Sequence, residues 1–249
     1  MRKYLFLVLI LGACHQSTLN QWAQKPINEW PSIVLVNEVQ YQNGDQYISP
    51  SFTYAGSGFL IDTGKDTLAV TAKHVLWIAA NKEQTGVSVN EDLASWIMRS
   101  KGSRTDSVVI DKLINEDKSE ILNGPESTIT ERDWLVFSVS SISSGLQTLK
   151  LRKDIPLKGE KVYLLGCPYS EDDCQVYEST FVRSEDNKLL VGQPAGVNLA
   201  GASGGALIDA NGHLLGVISS TTQDSVSGQD CIVAISTDYL QSVLSTNGY

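Results

Sequence analysis

The sequence predicts an all-β protein, either a sandwich or a pair of barrels. Short runs rich in β-branched and apolar residues recur from Ser32 onward, and Gly, Asn, Asp and Ser punctuate them as turn formers. Helical patterning is sparse, and no internal repeat of about 20–50 residues points to a solenoid or propeller. The predicted strands are Ser32–Asn37, Gly58–Asp62, Thr67–Thr71, Ser107–Asp111, Trp134–Val139, Lys161–Gly166 and Leu214–Ser219. Asn211-Gly212, between Ala206–Asp209 and His213–Gly216, reads as a two-residue hairpin turn. One short helical turn is expected over Val75–Asn81. Another is expected from Asp238 to Ser245, capped by Ser236 or Thr237. The stretch Thr85–Thr130 is the least patterned and is expected to hold a long insertion.

Composition narrows the class. Of 249 residues, 42% are hydrophobic and 19% charged, enough apolar surface for a core and unlike a disordered chain. The net charge is −9, and no basic cluster stands out after residue 3, which argues against nucleic acid as a partner.

The first residues read as a targeting segment. Arg2 and Lys3 precede an apolar run, Tyr4–Leu11, that is too short to span a bilayer and suits a signal peptide. The run ends in Leu11-Gly12-Ala13-Cys14, which resembles the bacterial lipoprotein box. That resemblance implies lipid on the Cys14 sulfur and cleavage before it; an ordinary signal peptide with a chance cysteine is the lesser alternative, since the box matches at all four positions. Residues 1–13 are thus expected to be removed, leaving 236 residues with a net charge of −11 (17 Lys+Arg against 28 Asp+Glu). Several acyl chains anchor a protein stably. Residues 14–30 read as a polar tether, and the protein is expected to be exported and held at the cell envelope by this anchor, with no transmembrane helix.

Cysteine usage agrees with export. Cys167 and Cys174 flank a presumed hairpin tip, and an oxidising compartment permits a bridge contributing roughly 2.5 kcal/mol. Zinc is the rival reading, but the spacing is unusual and no second Cys/His pair is near. Cys231 is expected to be buried in a strand.

Three motifs bear on chemistry. Gly201-Ala-Ser-Gly-Gly205 can expose the Ser203 hydroxyl and turn its neighbouring amides toward a developing oxyanion; a plain small-residue turn is the alternative. Thr71-Ala-Lys-His-Val75 places His74 at a strand end. Of the other histidines, His15 follows Cys14 and His213 follows a hairpin turn on the surface, so a Ser–His mechanism would use His74. Asp133 stands at the mouth of the apolar strand Trp134–Val139, where a carboxylate can fix an imidazole's tautomer. Asp62, Asp106 and Asp111 also flank strands and compete for that role.

Together these residues resemble the trypsin-like (chymotrypsin-fold) serine peptidases, with the order His74, Asp133, Ser203. The resemblance rests on Gly56–Asp62, Ala69–His74, Asp133–Phe137, Leu165–Pro168, Gly201–Leu207 and Gly216–Ser219, and covers nearly all of residues 32–240. It is nearest to bacterial single-domain and heat-shock-type members. It implies two antiparallel six-stranded β-barrels, about 31–145 and 146–236, and a short C-terminal helix at about 237–245, together forming one peptidase domain over 31–249. It also implies a serine endopeptidase acting on proteins or peptides, with Ser203 as nucleophile, His74 as base and then acid, and Asp133 as orienter. The amides of Gly201 and Ser203 would form the oxyanion hole. Val197 and Asn198 would form the base of the substrate pocket, and Ser219, Ser220 and Thr221 its walls. With no charge at that base, cleavage strictly after Lys or Arg is not expected, although Asp224 and Asp230 stand in the following loop. No cofactor or metal is implied.

The sequence departs from the family pattern at Lys73 and Leu135, where smaller residues are usual, and at Asn198–Ala200, which lacks a preceding glycine. Neither an activation-cleavage site nor room for a PDZ domain is evident. An α/β-hydrolase would place its acid and histidine after the serine, ahead of a helix, and the order here opposes that. A catalytically inactive, lipid-anchored binding module of the same fold is the non-enzyme alternative.

Overall fold

The structure is a computed structural model and describes residues 20–41, 54–76, 93–102, 105–117 and 129–249. Strands β1 (Val34–Tyr41), β2 (Ser57–Asp62), β3 (Thr67–Thr71), β4 (Leu93–Arg99), β5 (Ser107–Leu113) and β6 (Leu135–Ile142) form the first barrel. They pair in the order β1-β4-β5-β6-β3-β2, and β2 returns to β1, so the sheet closes with every pairing antiparallel. The second barrel comprises β8 (Lys161–Gly166), β9 (Gln175–Glu185), β10 (Lys188–Gly192), β11 (Ala206–Asp209), β12 (His213–Gln223) and β13 (Asp230–Ser236). It closes antiparallel through β12-β11-β8-β9-β10-β13 and back to β12. Closure removes the exposed edges that would otherwise template aggregation.

Between the barrels runs β7 (Thr148–Leu151), parallel to β2 on one side and to β12 on the other. Two short α-helices, α1 (Ile129–Arg132) and α2 (Thr237–Thr246), lie one before β6 and one after β13. The Ser236 hydroxyl caps α2 by accepting from the Asp238 amide at 3.4 Å. One core cluster spans both barrels, joining Phe59, Trp134 and Phe137 to Leu165, Val217 and Ile235. Phe59, Trp134 and Phe137 are completely buried; burial of a Phe side chain stabilises by about 1.5–3 kcal/mol. A smaller cluster, including Val162, Leu164 and Leu207, fills the second barrel alone. No described helix is long and apolar enough to cross a membrane.

Three sequence expectations need correction. The stretch Thr85–Thr130, expected to hold a long insertion, carries an unforeseen strand of the first barrel, β4, beside the predicted strand that is β5. Alternating burial of Trp96 and Met98 marks β4 as a barrel strand, a signal only two side chains long. The β11–β12 turn has three residues, Ala210–Gly212, rather than two. The Asp209 carboxylate accepts the Asn211 and His213 amides at 2.8 and 2.9 Å and so stabilises the wider loop, with Gly212 at φ +78°.

The third concerns the tether. Within it, residues 20–30 form 3-10 turns at Gln21–Gln24 and Ile27–Glu29 and touch the second barrel through Asn20, Trp22 and Trp30 while most of the others stay exposed. Trp22 stacks edge-on against Trp30 and Trp30 against Tyr163, while Asn20 Nδ2 donates to the carbonyls of Asn211 and Gly212. Two tryptophans seated on the second barrel outweigh the polar composition that suggested a free linker. Residues 1–19, including Cys14, lie outside the described residues, as do most of 75–81; Val75 and Leu76 are helical.

Candidate active site

His74 leaves the end of β3, and Asp133 sits between α1 and β6. Because β3 and β6 are neighbours, with Thr71 opposite Leu135, the two residues meet at one end of the first barrel. His74 Nδ1 lies 2.7 Å from Asp133 Oδ2, and the His74 amide donates to Asp133 Oδ1 at 2.8 Å. Asp133 is completely buried, and Ser219 Oγ donates a third hydrogen bond to it. A buried carboxylate is stable only with such donors. If the carboxylate is ionised, Nδ1 carries the ring proton and Nε2 is left as the basic nitrogen. Of the competing acids, Asp62 accepts from the Gly64 amide and Asp111 from Ser138 Oγ.

Ser203 belongs to the loop before β11. The amides of Ala202, Gly204 and Gly205 are used internally, by the carbonyls of Leu199, Ile218 and Ala202. The amides of Gly201 and Ser203 donate to no protein acceptor among the described residues. Gly201 (φ +100°) and Gly204 (φ +83°) hold conformations that disfavour side chains. A Cβ on Gly204 would lie 2.2 Å from the Ser57 carbonyl oxygen. Ser203 Oγ has a long contact, 3.5 Å, with the Ser219 carbonyl, and no hydrogen bond joins it to the His74 ring among the described residues.

Ser57 ties this loop to the first barrel, a role unassigned in the sequence. Its amide donates to the Ser203 carbonyl at 2.7 Å, and its hydroxyl donates to the Gly201 carbonyl at 2.8 Å while accepting from the Cys167 amide at 2.9 Å. Buried Asn37 supports the same region by donating to the Ala55 and Ser57 carbonyls. The only hint in the sequence was the Gly56-Ser57-Gly58 run.

Val197, Asn198, Ser219, Ser220 and Thr221 line a cavity of about 410 Å³ together with Ser203, and no lining residue is charged. Asp224 does not enter it, because the carboxylate turns to Arg183 Nε at 2.7 Å and to the Ser227 hydroxyl. The Ser227 hydroxyl and the Arg183 guanidinium hold the Asp224 carboxyl far below the usual carboxylate range. A neighbouring cavity of about 480 Å³ extends from His74 along β12. From Ser219 to Gln223, β12 pairs only with β13 among the described strands, so its other edge is unpaired.

The structure joins Cys167 to Cys174, and Cys231 is buried in β13 as a free thiol. The Tyr169 amide, inside that bridged loop, donates to the Ala200 carbonyl at 2.8 Å. The loop is clamped from the first barrel by Tyr54, whose hydroxyl donates to the Cys167 carbonyl at 2.8 Å, and by Lys101, whose ammonium donates to the Pro168 carbonyl at 2.7 Å. Burial pushes the Tyr54 hydroxyl well above its usual pKa and the Lys101 ammonium down. Lys73, unusual for its position, is buried with its ammonium over the Tyr239 ring of α2. His213 is partly buried beside Asp209, rather than on the surface. Among the described residues, no group of three or more His, Cys, Asp or Glu side chains is placed to hold a metal ion.

Residues 56–217 match the trypsin-like peptidase domain, more than half of the chain. The chain belongs to the trypsin-like peptidase family. Among solved structures it resembles the serine endoprotease from Yersinia pestis, with 20% identity and a TM-score of 0.55. The similarity covers 87% of this chain but only 62% of that one, and at this identity it bears on the fold. No curated protein sequence matches the chain. Within this family's fold, the site draws on both barrels: His74 and Asp133 from the first, Ser203 and the uncharged cavity from the second.

Proposed function

We propose that this protein is a serine endopeptidase working through an acyl-enzyme on Ser203. The observation that carries the reading is the buried Asp133 carboxylate, which takes two hydrogen bonds from His74 beside a cavity lined by Ser203. Ser203 Oγ attacks the scissile carbonyl carbon and His74 Nε2 takes its proton. The oxyanion that forms meets the open amides of Gly201 and Ser203. His74 then gives the proton to the leaving amine as the C–N bond breaks. Water, deprotonated by His74, releases the acyl group and restores Ser203. Catalytic hydrogen bonds are often long before substrate binds, which reconciles this mechanism with the Ser203 geometry.

A substrate strand can add to the unpaired edge of β12 at Ser219–Thr221, with its side chain in the uncharged cavity. Small, apolar or uncharged polar side chains fit there better than Lys or Arg. The second reading, a binding module without turnover, draws on the absence of a Ser203–His74 hydrogen bond. The deciding experiment incubates the folded protein with a fluorophosphonate probe and a broad peptide library. Labelling at Ser203 together with cleavage supports the endopeptidase. Absence of both favours the binding module.

The chain is held at a membrane of the cell envelope by lipid on Cys14, a reading supported by the Leu11-Gly12-Ala13-Cys14 box. Metabolic lipid labelling that disappears in Cys14→Ala is expected; a mature N-terminus elsewhere without lipid overturns it.

A further inference from the structure

The loop between β7 and β8 is unlike the rest of this acidic chain. Against the expectation that no basic cluster follows residue 3, residues 150–161 carry five cations (Lys150, Arg152, Lys153, Lys158, Lys161) and two anions (Asp154, Glu160). The same loop exposes Ile155 by 54% and Leu157 by 77%, while Pro156 between them is buried. Such a tip is costly to leave in water, and the loop is not slack. Arg152 forms an ion pair with Glu160, whose carboxylate also accepts the Leu157 amide at 2.9 Å, and the Gly159 amide donates to the Phe181 carbonyl. Glu160 is thus engaged by Arg152 and Lys161 pairs with Glu178 at 2.9 Å, which leaves Lys150, Lys153 and Lys158 as the exposed cations around the tip, with Asp154 as the anion among them.

Position in the fold adds the second argument. Arg152 also reaches Asp209 at 3.2 Å, so the loop lies beside the β11–β12 turn. That turn is where Asn20 is bound, at Asn211 and Gly212. The chain therefore arrives from its N-terminus at the same end of the second barrel. Six residue steps separate Asn20 from Cys14, a reach of at most about 20 Å. The nucleophile loop sits at the other end: Ala206 faces Leu165 while Asp209 faces Val162, so β8 and β11 run from the nucleophile loop to this tip.

We infer that the 152–160 loop docks on the anionic surface of a bilayer, with Ile155 and Leu157 entering the interface and the surrounding lysines facing lipid phosphates. Apolar side chains at the headgroup boundary, with cations beside them, are what such a surface binds. The chain's overall negative charge is screened beyond roughly 10 Å, so the local patch decides the contact. The arrangement holds the nucleophile loop about a strand length, ~20 Å, from the bilayer. The inference uses the Cys14 anchor for proximity and does not depend on peptide hydrolysis.

The test places a solvent-sensitive fluorescent amino acid at position 157 of the full chain, with position 226 as comparator, since Val226 is also exposed, by 81%, but lies in a different loop. Vesicles of phosphatidylcholine with phosphatidylglycerol are compared with phosphatidylcholine alone. Emission from position 157 is expected to shift to the blue on the anionic vesicles, while position 226 stays water-like. Lys153→Gln and Lys158→Gln are each expected to lower that signal's apparent affinity for anionic vesicles roughly fivefold. A water-like position 157 on vesicle-bound protein overturns the inference. So does a blue shift that arises without vesicles and grows with protein concentration, which marks a second copy as the occupant. Flotation of Cys14→Ala separately reports on the anchor: if the anchor reading fails, position 157 still decides the docking when vesicles are added directly.

Discussion

The two barrels build their halves of the site by different means. The first supplies His74 and Asp133, placed by side-chain hydrogen bonds around a carboxylate with no exposure to solvent. The second supplies Ser203, placed by backbone turns whose glycines adopt positive φ and leave two amides open. One half depends on residues distant in the chain and the other on five consecutive residues. At the seam between them, Ser57 of the first barrel holds the turn of the second by two hydrogen bonds and accepts a third from Cys167. Trp134, next to Asp133, crosses in the same direction and donates to the Ser236 carbonyl at 3.1 Å.

The sharpest way to probe this division is to remove one member from each barrel. Ser203→Ala or His74→Ala should lower turnover by about four to six orders of magnitude, and the double variant should lose little more, because the two act as a unit. Nearly additive losses in steady-state kinetics would contradict a shared mechanism. Asp133→Asn should fold yet cost roughly 10⁴-fold in turnover, through loss of the productive His74 tautomer.

Ser57→Ala tests the seam itself. It leaves the Gly201 carbonyl and the Cys167 amide without this buried partner, at about 1–3 kcal/mol for each group. Denaturant melts should show the loss, and fluorophosphonate labelling of Ser203 should slow; unchanged melts would mean that the turn holds itself. Replacing Cys167 and Cys174 by alanine opens the loop that the first barrel clamps and should cost roughly 2.5 kcal/mol, read as a lower denaturation midpoint.

The smallest effect concerns Asp224, remote from the seam. Its folded carboxyl is held below the unfolded value, so the unfolded chain binds the proton more readily. The stabilisation from this group is therefore complete above the ordinary carboxylate range and fades as pH falls through and below it. Asp224→Asn should lower the melting temperature at neutral pH and narrow the gap to wild type on acidification. An identical pH profile for the two proteins would remove Asp224 from the account.

The sequence by itself determined the local half of this protein. Runs of β-branched residues mark most strands, because their alternation is set by the pleat. The cap at Ser236 or Thr237 is a similarly short-range signal, resolved to Ser236 by the structure, and so is the Gly201–Gly205 turn, where glycine follows from positive φ. Only tertiary structure decided between Asp133 and the strand-flanking Asp62 and Asp111, since a carboxylate's partner is a matter of distance across strands. It alone brought Ser219, read first as a pocket wall, to the buried carboxylate, and gave Ser57 its place at the seam. Strand β4 was hidden because its pattern is short and barrel closure supplies the pairing, whereas the β-branched run at the start of β5 was legible. The docking of residues 20–30 was hidden for a related reason: a polar stretch with two tryptophans packs only where a surface is shaped to receive them, and that surface comes from residues more than a hundred positions away.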